Sequence, residues 1–136
     1  MTDNKLSAKV REIFEKLLNE ERETHKKIDA EIGSKYSDPF ADTKVYTGKH
    51  METKHVGGEG QNYEGYLSEV VDNNKEHNHC LLVVTYDGAG YDFLSYETDY
   101  GVGMVTTKFI KQLEESGLKV MLEHFCRWAF CVYEDN

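Results

Sequence analysis

Leu6, Val10, Ile13, Phe14, Leu17 and Leu18 recur at steps of three and four, the spacing that gathers apolar side chains on one face of a helix. Thr2, Asp3 or Asn4 can cap its start and Gly33 suits the C′ position, so the pattern predicts a helix from about residue 4 to 32. The apolar stripe lapses over Asn19–Lys27, a run of nine polar residues, and resumes at Ile28 and Ile32. Glu12–Lys16 and Glu23–Lys27 are i,i+4 pairs of the favourable orientation. Unbroken, this helix would be about 43 Å long at about 1.5 Å per residue, more than the core of a small domain covers. Two outcomes are open. The helix breaks near Asn19, or its second half projects and offers Ile28 and Ile32 to a partner or to a second copy, as a homodimer.

Residues 34–61 show no sustained period. Ser37-Asp38-Pro39 marks a turn, Val45–Thr47 and Met51–Val56 are short strand candidates, and HVGGEGQN is a glycine-rich loop. A meander is expected next, from Tyr66–Val71, His79–Tyr86 and Gly90–Tyr96, which are rich in β-branched and aromatic residues. Asp72-Asn73-Asn74-Lys75 and Asp87-Gly88-Ala89-Gly90 supply turn chemistry between them. Tyr63, Tyr66, Leu67, Val70 and Val71 also fit a helical stripe, against which Gly65 and the hairpin signal weigh. Cys80–Thr85 is apolar at every position but its last, which suits a central strand.

Thr106 or Thr107 can cap a short helix with Phe109, Ile110 and Leu113 inward, ended by Gly117 with Leu118 beyond it. From Val120 to Tyr133 the alternation predicts one long terminal strand, with Val120, Leu122, His124, Cys126, Trp128, Phe130 and Val132 on one face. The implied class is α+β: a two-layer domain with an antiparallel sheet of roughly four to six strands, a long N-terminal helix and a short helix before the C-terminal strand. One domain spans 1–136, with 1–33 as the helix and 34–136 as the sheet-rich body.

Charge changes the picture most. Between Glu59 and Asp99 there are nine carboxylates and one cation, Lys75, so this segment nets −8 in a chain that nets −9. Tyr63, Tyr66, Tyr86, Tyr91 and Tyr96 are interleaved with those charges. Such a field repels nucleic acid and acidic membranes and attracts basic protein surfaces. The residues expected to meet a partner are Glu64, Glu69, Asp72, Glu76, Asp87, Tyr91, Asp92, Tyr96, Glu97 and Asp99.

Conventional site chemistry is thin. His77, His79 and Cys80 cluster, and His124 and Cys126 could join them from a neighbouring strand, but the spacing fits no ordinary zinc motif. Neighbouring strand residues such as His79 and Cys80 also point to opposite faces. No metal or cofactor is expected. Cys80, Cys126 and Cys131 read as small core hydrophobes, and three cysteines without a signal-type apolar stretch at the start suit a reducing, cytoplasmic setting. As a nucleophilic pair, His124 and Cys126 would sit about 7 Å apart along a strand, beyond hydrogen-bond reach. Gly101-Val102-Gly103 before a helix invites a phosphate reading, yet the full phosphate-loop pattern is absent and Glu97 and Asp99 would repel an anion.

The sequence therefore weighs against an enzyme without excluding one. Its expected role is a non-enzymatic acidic module that binds protein, an inhibitor occupying a basic or nucleic-acid-binding groove. The analogy is to small acidic inhibitors of restriction and CRISPR nucleases, by charge and size alone. The alternative is a domain that binds or converts a small molecule in a pocket lined by His79, Tyr86, Tyr91 and His124.

Overall fold

The computed structural model describes residues 3–46, 80–86, 88, 90–95, 103–126 and 129–134, with backbone alone for 3–4, 46, 80 and 124–126. Along the chain lie helix α1 (Asp3–Ile32), strand β1 (Lys44–Tyr46), strand β2 (Cys80–Thr85) and a single helical turn, α2 (Tyr91–Leu94). Helix α3 (Met104–Glu115) and strands β3 (Val120–Cys126) and β4 (Ala129–Glu134) follow. The four strands make one antiparallel sheet in the order β1-β2-β4-β3. The class is α+β. Among the described residues no helix is long and apolar enough to cross a membrane.

The predicted stripe of α1 is what builds the core. Leu6, Val10, Phe14, Leu17 and Leu18 are buried and Ile13 packs beside them. Phe14 stands at the centre, 5.0 Å from the Phe109 ring of α3 and 5.8 Å, edge-on, from Phe130 of β4. Across the sheet the register aligns Leu82, Val132 and Leu122 in one row, and Val45, Val84 and Phe130 in the next. Both rows face the helices, as the period of two along a strand requires. Val83, Thr85 and Ala129, on the opposite face, are buried as well. β2 is thus closed off on both sides, which its unbroken apolar run anticipated.

Helix α1 does not break at Asn19; it runs for 30 residues, about 45 Å at the usual rise. The polar run contains no glycine or proline and is dominated by good helix formers. It is not wholly bare either. Phe14, Leu18, Glu21, His25, Ile28 and Ile32 continue one stripe in steps of three and four, and the body covers this stripe as far as His25. Glu21 is buried, with its carboxylate 3.4 Å from His25 Nε2, and the His25 ring meets Phe93 edge-on at 5.2 Å. The turn at 37–40 folds back over the same stretch. Asp38 accepts from Arg22 Nε at 3.0 Å and from the Phe40 N–H at 2.9 Å, while the Arg22 guanidinium lies over the Phe40 ring. Only beyond His25 does the helix stand clear, where Ile28 is 48% and Ile32 70% exposed. On its solvent side Glu23 pairs with Lys26 rather than with Lys27.

Both helix ends follow from glycine. Gly33 adopts φ 71° and Gly117 φ 77°, the left-handed conformation that ends helices most cheaply at glycine. After α1, the Ser34 N–H reaches back to the Asp29 carbonyl at 2.8 Å, which is the Schellman bond. After α3 the Ser116 hydroxyl takes that role instead: it donates to the Leu113 carbonyl and accepts from the Leu118 N–H.

Three expectations are corrected. Gly90–Tyr96 is not a strand: Tyr91–Leu94 makes one helical turn, closed by the Leu94 N–H on the Gly90 carbonyl and the Ser95 N–H on the Tyr91 carbonyl. The meander through it is absent, since β2 pairs with β1 and β4. The terminal segment is not one strand but the antiparallel pair β3 and β4, with a register shift between His124 and Cys126. Alternation continues in phase through Arg127-Trp128, so the pattern could not reveal the reversal. Finally, α3 begins at Met104 with Gly103 as its N-cap, and Thr106 does not cap it. The Thr106 hydroxyl is buried and donates to the Leu94 carbonyl at 2.6 Å. The strand candidates at 51–56 and 66–71 lie outside the described residues.

Candidate partner-binding surface

Of the expected contact residues, Tyr91 and Asp92 fall within the described part of the chain, both on α2. Glu64, Glu69, Asp72, Glu76, Asp87, Tyr96, Glu97 and Asp99 lie outside the described residues. The turn carrying Tyr91 and Asp92 is anchored firmly. Leu94 is fully buried, the Thr106 hydroxyl holds its carbonyl, and the Gly103 N–H donates to the Ser95 carbonyl at 2.8 Å. Gly103 is in turn dictated by α2. A Cβ at that position would lie 2.4 Å from the Phe93 carbonyl carbon and oxygen, far inside contact distance. This glycine permits close backbone approach, and the phosphate reading of the glycine pair loses the role it needed for Gly103.

α2 divides its side chains by environment. Asp92 is exposed. Tyr91 is half-buried, and its ring lies 6.3 Å from that of Tyr86. Tyr86 itself is fully buried, its ring 5.7 Å from that of Phe130 and tilted by 38°. Its ring is therefore part of the core. Exposed charge and aromatic support meet in one short turn.

The alternative pocket gains little from this geometry. His79 lies outside the described residues. The strand register aligns Val84, Phe130 and His124 across β2, β4 and β3, so the β4 backbone and a core phenylalanine lie between β2, which leads into Tyr86, and the strand of His124. The His/Cys cluster weighed as a zinc set meets the same barrier. Cys80 pairs with Tyr133 at one end of β4, and Cys126 pairs with Ala129 at the other. Four residues along β4 and two inter-strand steps separate them by roughly 16 Å. No single ion spans that distance at a zinc–sulfur bond length of about 2.3 Å. Among the described residues no group of three or more His, Cys, Asp or Glu is placed to hold a metal. Cys131, on the sheet face opposite the aromatic core, is half-buried.

One electrostatic feature of the described part escaped the sequence reading. Burial alone would raise the Asp38 pKa, but the Phe40 N–H, the Arg22 guanidinium and the more distant Lys26 charge outweigh it and hold the carboxyl below its ordinary value. The signal available was Asp38 directly before Pro39, a turn position from which a carboxylate can accept from the N–H two residues on.

Three further ion pairs lie within the described helices: Arg11 with Glu15, Lys26 with Glu23, and Lys111 with Glu115. Outside residues 59–99 the chain carries 16 acidic and 15 basic side chains. The excess negative charge therefore belongs to the 59–99 segment, and Asp92 on α2 is the carboxylate of that segment that falls among the described residues.

Comparison with known proteins adds no family to this description. No protein-family model matches the chain. Neither a curated protein nor a solved structure matches it.

Proposed function

We propose that this protein is a non-enzymatic acidic binding module whose 59–99 segment docks on a basic surface of another protein, of the kind that holds nucleic-acid phosphates. The observation that carries this reading is the concentration of charge: nine carboxylates and one lysine within that segment, in a chain otherwise close to neutral. Spaced carboxylates present the sign and density of charge that such a groove binds. Tyrosines among them add rigid contact area with a hydrogen-bonding tip. Support from the fold is local: Asp92 is exposed on a turn whose backbone is tied to α3. An inhibitor of a nucleic-acid-processing enzyme is the form of this function that the charge fits best.

The test is capture from a lysate on the immobilised protein and on an Asp87→Lys, Asp92→Lys, Glu97→Lys variant of equal thermal stability. The expected outcome is a set of basic, nucleic-acid-binding proteins retained by the first and lost by the second, and released by competing DNA. Equal retention of the same proteins by both would overturn the reading.

A further inference from the structure

We draw no further inference here: the strongest candidate, the apolar tip of α1 where Ile28 and Ile32 stand clear of the body, is an unpartnered face of two side chains, and nothing among the described residues shows what covers it.

Discussion

Gly103 and Asp38 show how much single positions contribute away from the centre of the core. At Gly103 the backbone angle is ordinary, φ −56°, so the requirement is space alone. Gly103→Ala drives a methyl group into the backbone of Phe93, and separating α2 from α3 should cost about 1–3 kcal/mol, as overpacking does. Chemical denaturation measures it. An unchanged midpoint would show that the two backbones do not pack as closely as described.

Asp38 is the residue whose contribution should depend on pH. Its carboxyl titrates below the ordinary value in the folded protein, so the ionised form is favoured by folding. The stabilisation is complete above the unfolded carboxylate value of about 4, and it is lost as pH falls through the lowered native value. Asp38→Asn keeps an acceptor for the Phe40 N–H and removes the charge facing Arg22. A partly exposed ion pair of this kind is worth about 1 kcal/mol or less. In urea titrations the wild type should exceed the variant by that amount at neutral pH, and the gap should close in acid. A gap that persists at low pH would mean that packing, not charge, sets the difference.

At the scale of elements, α1 combines three regimes in one uninterrupted helix. Its first half is a core helix, its middle is held by polar contacts with 37–40 and Phe93, and its last two turns are exposed. Truncation should report this gradient. Phe14→Ala removes the ring on which α3 and β4 converge and should cost about 3–5 kcal/mol, a large share of a typical domain's stability of about 5–15 kcal/mol. Ile28→Gln with Ile32→Gln exchanges exposed apolar side chains for a good helix former, and should change stability by no more than about 0.5 kcal/mol. Comparable losses at both places would mean that the tip is packed.

The same helix shows where sequence pattern falls short. Glu21 and His25 occupy the core-facing stripe but are polar, so a count of apolar residues scores the interval as solvent-exposed. What meets this stretch of the helix approaches from elsewhere in the chain: Asp38 and Phe40 against Arg22, and Phe93 against His25. The Tyr91–Leu94 segment differs in origin. Tyr-Asp-Phe-Leu has aromatic content suited to a strand, yet the bonds that curl it are local, to the Gly88 and Gly90 carbonyls, and its anchoring on Thr106 and Gly103 comes from the α3 start.

For the whole molecule the governing quantity is the uneven charge. The protein should show no detectable binding to short duplex DNA or to single-stranded RNA at about 150 mM salt, because attraction to phosphates requires cationic contacts that this chain lacks in excess. Its association with a basic partner should be fast and should slow steeply with salt, since exposed charges are screened over about 8 Å at physiological ionic strength. Charge reversal at Asp87, Asp92 and Glu97 together should slow that association at least about tenfold and leave the fold intact. Stopped-flow rates across a salt series read both effects, and a salt-independent rate would point to a contact made by apolar surface instead.

By itself the sequence determined what depends on local chemistry. The 3.6-residue stripe placed Leu6 to Leu18 in the core, Gly33 and Gly117 ended their helices through a conformation glycine adopts readily, and the apolar run Cys80–Val84 specified a strand buried on both faces. Charge was legible too, since counting carboxylates requires no fold. Tertiary structure decided whatever depends on a neighbour distant in the chain. It covered Glu21 and His25 in the middle of α1, turned Val120–Tyr133 back on itself, and required a glycine where α3 meets Phe93. It also drew Tyr86 into an aromatic core and set Cys80 and Cys126 at opposite ends of the sheet. The reason is physical: period and turn propensity are short-range properties of the backbone, whereas pairing order and close approach are set by which surfaces bury each other.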